Sequence, residues 1–257
     1  MNIEKLLDVL KSAGIDPGEA ASVLRTTGLD DLGFSMVDTA RCRRQPLPEV
    51  VFGQGKTPEQ VTAIAESLFS RTGLAIVSRV SDEAGKKLQE AFPAGRLFTL
   101  ERMFVAGEYS GSFRPSGSVV LVTAGTSDLP VAGEAFIILK TMGVPAKLIP
   151  DVGVAGIHRL GNVLPDILSA SVCIAFAGMD AALVSVLGGV FPGPLIAVPI
   201  STGYGASLSG FTALFSSLSS CSPGVCVVNI DNGIGAAAAA MRILSGAGGS
   251  REPQAKH

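Results

Sequence analysis

The sequence predicts an α/β protein in which a parallel sheet is covered by helices on both faces. From residue 117 on, five apolar and often β-branched runs return about every 23 to 30 residues, with helix-like segments between them. The runs are continuously apolar, which is typical of strands buried on both faces. Only 16% of the 257 residues are charged, against about 25% in average domains. An unusual share of the residues is therefore expected in buried sheets or in interfaces between subunits. The runs are Val119–Val122, Ala146–Ile149, Val172–Phe176, Leu195–Val198 and Val225–Ile230.

The first third of the chain mixes helix and strand patterns. An isoleucine and three leucines at helical spacing predict a first helix, with Asn2 as a possible N-cap and Gly14 as its stop. Asp16 with the proline after it opens a second short helix. A third helix begins after Thr57, in the capping-box sequence Thr-Pro-Glu-Gln, and ends at Gly73.

The change of pattern at residue 117 divides the chain. We expect a smaller α+β N-terminal domain over residues 1–116 and the parallel-sheet domain over residues 117–246. Within the first domain, residues 74–80 are a predicted strand, and residues 93–117 are either strand or linker. The polar tail 247–257 is predicted to be disordered.

Composition excludes several classes of protein. A net charge of −2 and a pI of about 5.7 speak against nucleic acid or an anionic membrane as partner. Residues 181–230 carry no charge, but glycines and prolines interrupt them too often for a membrane span. Four irregularly spaced cysteines and no signal-peptide pattern predict reduced thiols and a cytoplasmic protein without a zinc site. The expected partners are small molecules or further copies of the chain.

Ligands of parallel sheets bind beyond the carboxyl ends of the strands, so the loops there are candidate sites. The first such loop, Ala124 to Asp128, precedes a helix that begins near Leu129. Free N–H groups at a helix N-terminus suit a phosphate or carboxylate, although Asp128 as a simple helix cap is an equal alternative.

The next two loops carry titratable side chains. His158 can move a proton near neutral pH and Arg159 can hold an anion, unless the histidine merely caps a helix. Asp180 stands at the edge of the uncharged stretch, where low-dielectric surroundings would favour its protonated form; the alternative is an exposed N-cap. Cys221 lies in a turn of small residues and is a candidate nucleophile, whereas Cys173 and Cys226 are expected in the core.

Cations concentrate in the first domain. Arg41, Arg43, Arg44 and Lys56 fall within sixteen residues of a sparsely charged chain, which fits a polyanionic ligand or a solvated basic surface.

Together these residues resemble the LarB family of nickel-pincer cofactor biosynthesis, whose second domain is similar to the aminoimidazole ribonucleotide (AIR) carboxylase fold called PurE. The resemblance spans about residues 30 to 245 and implies a flavodoxin-like three-layer α/β/α domain. It depends on the order of its motifs, which are Asp38-x-x-Arg41-x-x-Arg44, Pro48-Glu49-Val50, Gly55-Lys56-Thr57, the Ala-Gly-Thr-Ser-Asp loop, Gly153 to Arg159, Gly178-Met179, Gly203-Tyr204-Gly205 and Val228 to Gly233.

The resemblance implies a pyridinium-3,5-biscarboxylic acid mononucleotide synthase. Such an enzyme carboxylates nicotinic acid adenine dinucleotide with CO2 or bicarbonate and hydrolyses its phosphoanhydride to release AMP. It further implies Cys221 as the covalent nucleophile, and we expect His158 and Asp180 in CO2 handling and proton transfer. Mg²⁺ or another divalent ion, held mainly by the substrate diphosphate, would assist hydrolysis. The expected substrate-binding residues are Arg41, Arg44, Lys56, Gly125, Thr126, Ser127, Asp128, Arg159, Gly178, Met179, Gly203, Tyr204, Gly205, Asn229, Asp231 and Asn232.

One departure concerns catalysis. The family usually has glutamate at position 180, and Asp180 is one methylene shorter; a shift of about 1 Å at a reacting group can cost about a hundredfold in rate.

The resemblance also implies a homo-oligomer, expected to be an octamer, and as partners the downstream enzymes that mature a lactate racemase or another nickel enzyme. Two other functions stay open. One is AIR carboxylase or mutase activity in purine biosynthesis, which would need neither the basic first domain nor a cysteine nucleophile. The other is a non-catalytic nucleotide-binding assembly module, favoured only by Asp180.

Overall fold

A computed structural model describes residues 11–14, 16 and 28–246. The chain turns at Gly14, which has the positive φ of 70° expected where a helix stops. The rest of the two predicted N-terminal helices, and the tail 247–257, lie outside the described residues.

The second half of the chain builds a sheet of five parallel strands in the order β11-β10-β9-β7-β8. The winding direction reverses between β7 and β9, which gives the strand order of a flavodoxin-like fold. The predicted α/β fold is thus confirmed. The strands are β7 (Val119–Thr123), β8 (Ala146–Ile149), β9 (Val172–Ala177), β10 (Leu195–Pro199) and β11 (Val225–Val227).

Helices cover both faces of this sheet. They are α3 (Leu129–Thr141), α4 (Ile157–Leu168), α5 (Ala182–Val190), α6 (Phe211–Leu218) and α7 (Gly233–Gly246). Side chains of α3 and α7 pack with Ile174 of β9 in one core, whereas α4, α5 and α6 pack with Cys173 in the other. Because successive strand residues point to opposite faces, the continuously apolar run fills two cores at once.

The first domain contains a mixed sheet in the order β3-β4-β6-β5 and a separate antiparallel pair, β1-β2. Its elements are β1 (Leu29–Asp31), β2 (Met36–Asp38), β3 (Val50–Phe52), α1 (Pro58–Thr72), β4 (Leu74–Ser78), α2 (Asp82–Ala91), β5 (Arg96–Phe98) and β6 (Met103–Gly107). The predicted capping box at Thr57 and the helix end at Gly73 are confirmed. The segment left as strand or linker supplies β5 and β6.

The cysteines differ in how deeply their side chains are buried. Burial raises the pKa of the Cys173 thiol to about 12, so it is an inert core residue. The expectation that Cys226 is also buried is wrong, because β11 is an edge strand of three residues and leaves this side chain exposed. Cys221 is exposed as well.

An apolar face is exposed on α6 and the turn before it. Leu208, Phe211, Phe215 and Leu218 are each between 51% and 65% exposed. The three helix residues follow helical spacing, so they form one stripe, which we call the α6 face.

Among residues 28–246, no helix is both long and apolar enough to cross a bilayer.

Candidate active site

A cleft of about 470 Å³ opens at the carboxyl ends of β7, β8, β9 and β10. It lies where the winding direction of the sheet reverses, the usual ligand position in such folds. Nine predicted site residues line it: Gly125, Ser127, Asp128, Arg159, Gly178, Met179, Asp180, Gly203 and Tyr204. The other lining residues are mostly small and apolar.

The loop after β7 forms the buried end of this cleft. Asp128 is only 4% exposed, and its Oδ2 accepts the Gly125 N–H at 2.9 Å. Burial raises the pKa of Asp128 to about 6, although the backbone N–H groups of Gly125 and Ala124 act in the opposite direction. A carboxyl group with this pKa can exchange a proton near neutral pH. Thr126 of the same loop points to solvent and does not line the cleft.

The loop after β8 contributes an ion pair to the rim. Arg159 Nη1 lies 2.5 Å from Asp151 Oδ2, and both side chains are partly exposed. Asp151 has a φ of 56°, an uncommon left-handed backbone for a non-glycine residue. His158 is exposed on the first turn of α4 and does not line the cleft, so its predicted role has no support from the cleft geometry of a single chain.

The loop after β9 is strained. Met179 and Ala181 have φ values of 54° and 51°, a conformation that costs about 1–3 kcal/mol each and clusters at functional sites. Between them, Asp180 is exposed, and its Oδ1 accepts the Ala182 N–H at 3.2 Å. The expected low-dielectric surroundings of Asp180 are therefore wrong for the single chain, because the left-handed turn directs this carboxylate to the mouth of the cleft.

The cleft loops approach one another backbone to backbone. A Cβ at Gly178 would lie 2.4 Å from the Thr202 carbonyl oxygen, and one at Gly153 would lie 2.6 Å from that of Ala124. Only glycine fits at such distances. Tyr204, 80% exposed, projects from the last of these loops at the mouth of the cleft.

The turn after β11 supports the cleft without lining it. Asp231 Oδ1 accepts the Ser201 N–H at 2.9 Å, and the Asp231 N–H donates to the Pro199 carbonyl at 2.9 Å. Asn229 and Asn232 use their side-chain oxygens on amides of their own turn. Each of the predicted ligands Asn229, Asp231 and Asn232 therefore has one side-chain oxygen bound to a backbone amide, and none of them lines the cleft. Gly205 begins a short 3-10 helix beside the cleft.

Cys221 lies away from this cleft in its own chain. It precedes the first residue of β11, whereas the cleft lies beyond the last residue of the parallel neighbour β10. The turn that carries it is tied to α5 through a 3.0 Å contact between the Ser220 and Ser185 hydroxyl oxygens.

The three cations of the first domain that were expected to bind substrate also lie outside the cleft lining. Arg41 and Arg44 pair with Asp38 at 3.4 and 2.5 Å, and Lys56 donates to the Phe52 carbonyl at 2.9 Å. The sequence pattern did not reveal that Asp38 neutralises part of this charge. The second oxygen of Asp38, Oδ1, is buried without a hydrogen-bond partner.

Sequence reasoning missed an ion pair that joins the first domain to a helix of the second. Arg79, just after β4, has its Nε 3.2 Å from Glu134 Oε1 on α3. Glu134 is 3% exposed, and its burial raises its pKa to about 7 despite the lowering effect of Arg79. One signal was available, since Glu134 is the single carboxylate in an otherwise apolar helix pattern.

Replacing Glu134 with glutamine should change how stability depends on pH. A carboxyl whose folded pKa is raised favours the folded state when protonated, so its contribution is full below about 4.5 and is lost as pH rises through about 7. We expect the free energy of unfolding of Glu134→Gln to fall less than that of the wild type between pH 4.5 and 7.5, by on the order of 3 kcal/mol.

Denaturant titrations at several pH values would measure this difference. Glu90→Gln, at an exposed carboxylate on α2, is the matched control and should follow the wild type. Parallel pH profiles of the wild type and Glu134→Gln would contradict the prediction.

Comparisons with known proteins cover nearly the whole described chain. Residues 29–108 match the family model described as the LarB/PurE-like N-terminal domain, and residues 118–252 match that of AIR carboxylase. An uncharacterized protein of Methanocaldococcus jannaschii is 35% identical over 245 residues, which is 91% of this chain and 94% of that protein. A crystal structure of a serine-to-aspartate variant of Treponema denticola PurE2 matches 51% of this chain and 80% of its own, at 25% identity and a TM-score of 0.43.

Proposed function

Because the chain belongs to the LarB family and is a PurE-like carboxylase by its domains, we propose that it makes pyridinium-3,5-biscarboxylic acid mononucleotide. The proposed substrates are nicotinic acid adenine dinucleotide, CO2 and water, and the second product is AMP. The observation that carries the proposal is the order of the two matched domains, since the first domain distinguishes this family from a lone AIR carboxylase.

In the proposed reaction, the Cys221 thiolate adds to the electron-poor pyridinium ring and leaves an electron-rich dihydropyridine. The 5-carbon of that ring attacks CO2, a base removes the proton from the same carbon, and expulsion of the thiolate restores the aromatic ring. One CO2 is gained and one proton is lost. Water then cleaves the phosphoanhydride.

The cleft offers two carboxyl groups for the proton step. Asp128 has a pKa of about 6 at the buried end, and Asp180 lies at the mouth. The pKa of Asp128 suits proton transfer in both directions, so we assign Asp128 to this step beside Asp180, whose assignment rests on the family resemblance. Met179 and Tyr204, both exposed at the mouth, offer surfaces for the ring, and an aromatic face attracts a cation such as pyridinium.

A divalent ion fits this chain poorly as a protein-held group. Among residues 28–246, no three histidine, cysteine or carboxylate side chains are grouped as ligands. The proposed Mg²⁺ therefore belongs to the substrate diphosphate, and no step is assigned to a protein-bound ion.

The proposed nucleophile and the cleft lie at opposite ends of the strands, so the reaction needs a second copy of the chain. In the assembly that we propose, expected to be an octamer, Cys221 of one copy faces the cleft of a neighbour. Two features support self-association, namely the exposed α6 face and the absence of charge over residues 181–230.

Incubation of the purified chain with nicotinic acid adenine dinucleotide, bicarbonate and magnesium tests the function. We expect a carboxylated mononucleotide and AMP in equal amounts, measured by mass spectrometry. Carboxylation of AIR instead would favour the purine enzyme. Unchanged ligands in both assays would favour a binding module.

Mixed assemblies test the shared site. Cys221→Ala and Asp180→Asn are each expected to be inactive alone, but chains mixed during refolding should regain about a quarter of the activity. The estimate assumes random pairing, because one site in four then receives both intact side chains. A mixture as inactive as its components would contradict a site built from two copies.

A further inference from the structure

The guanidinium group of Arg79 connects the first domain to the turn that supports the cleft. Arg79 Nη2 donates to the Asp231 carbonyl oxygen at 2.8 Å, while its Nε faces Glu134 at 3.2 Å. The planar guanidinium fixes both directions at once, which a lysine ammonium cannot do with the same geometry.

The turn after β11, residues 229–232, which we call the Asp231 turn, fixes one wall of the cleft. Its carboxylate accepts the Ser201 N–H at 2.9 Å, and the next residues, Thr202 to Tyr204, line the cleft. The chain of contacts is therefore short, from Arg79 through Asp231 to the segment 201–204. Each link is a hydrogen bond of ordinary length.

The backbone at both ends of this connection is strained. Arg79 has a φ of 52° and Asp231 one of 53°, in the left-handed region that non-glycine residues rarely adopt. Arg102 shares this conformation, with a φ of 52°, and its Nε donates to the Val80 carbonyl at 3.1 Å, which braces the segment that carries Arg79. Strain of this kind persists only where the surroundings determine the conformation.

The buried partner indicates a purpose other than stability. Glu134 is almost fully buried, and a buried ion pair is often no more stabilising than apolar residues of the same volume. The Arg79 side chain that Glu134 holds is 28% exposed and reaches the turn at Asp231 in the second domain. Burial of the Glu134 carboxylate is costly, and the pair fixes the direction of the Arg79 guanidinium toward Asp231. Both properties fit a positioning role.

We propose that Arg79 is a positioning residue, by which the first domain holds the Asp231 turn and, through it, the cleft segment Ser201–Tyr204. The inference deepens the proposed function but concerns the geometry of the cleft whichever substrate occupies it. It gives the N-terminal domain a role in the carboxylase site that requires no contact with the substrate.

Hydrogen exchange of the full chain without substrate tests the inference independently of the reaction. Arg79→Lys keeps a positive charge beside Glu134 but loses the hydrogen bond to Asp231. We expect exchange of the Ile200 and Ser201 amides, which donate to the Ala177 carbonyl and to Asp231 Oδ1, to be about tenfold faster, with exchange in β7 and β9 unchanged. Arg71→Ala is the matched control, because this exposed arginine of α1 lies 3.9 Å from its partner Asp30 and is remote from the cleft.

Two results would overturn the proposal. One is exchange of the Ile200 and Ser201 amides equal to that of the wild type, and the other is faster exchange spread equally over both sheets, which would indicate a general structural role.

A kinetic arm follows if the wild type makes the expected product. Arg79→Lys should lower kcat about tenfold with KM changed less than twofold, because the cleft wall is displaced while the substrate contacts remain. A rise in KM with kcat unchanged would contradict the positioning role. If the wild type makes no product, the proposed function fails, and the exchange result still decides the role of Arg79.

Discussion

Cys221→Ala is expected to abolish carboxylation, with a loss of roughly a thousandfold or more in product formation, because no other step makes the pyridinium ring electron-rich. Intact-protein mass spectrometry during turnover should show an adduct of the dinucleotide on the wild type and none on the variant. The exposure of Cys221 means that its removal leaves no cavity, so the fold should be unaffected.

The exposed Cys226 provides the matched control. Cys226→Ala removes a second accessible thiol five residues along the chain, and its product formation should stay within twofold of the wild type. Carboxylated product from Cys221→Ala at the wild-type rate would reject the covalent step while leaving the reaction itself standing.

Gly178→Ala is expected to inactivate the cleft with less effect on the fold. The added methyl group would lie 2.4 Å from the Thr202 carbonyl oxygen, so the loop that leads to Tyr204 must move away. A displacement of about 1 Å at a catalytic wall costs about a hundredfold in kcat/KM, whereas strain from one extra methyl costs roughly 1–3 kcal/mol of stability.

Steady-state kinetics and thermal unfolding together separate these two effects. Gly161→Ala is the control, because a Cβ at this exposed position of α4 meets no atom within 4 Å. It should retain activity and gain slightly in stability, since alanine is the better helix former. Wild-type kinetics in Gly178→Ala would show that the approach of the two loops does not shape the site.

Much of the fold could be predicted because burial on both faces leaves a direct mark on sequence. Each predicted strand of the second domain exists, and β11 is shorter than predicted because residues 229–232 form the turn that holds the cleft wall. The strands β1, β2 and β3 left no such mark, since three residues are too few to show a period.

The site was predictable where it follows the strand ends. Gly125, Gly178 and Gly203 line the cleft as expected, because carboxyl ends of parallel strands meet at one edge. The partners of charged side chains could not be predicted in the same way. Arg44 pairs with a near neighbour, whereas Arg79 reaches a carbonyl 152 residues away, a contact that only the tertiary fold creates.

The stretch that carries the α6 face, residues 181–230, has no charge of its own, and this bears on how the proposed association would respond to salt and temperature. Salt screens interactions between charges, so moderate changes in ionic strength should have little effect on the strength of association through the α6 face. The driving force is instead the release of water from apolar surface, which is entropic near room temperature and weakens on cooling. Contact made through Phe211 and Phe215 would therefore tighten with warmth and with sulfate, and loosen in the cold. In the proposed assembly, such a contact would respond to temperature and to sulfate more than to charge screening.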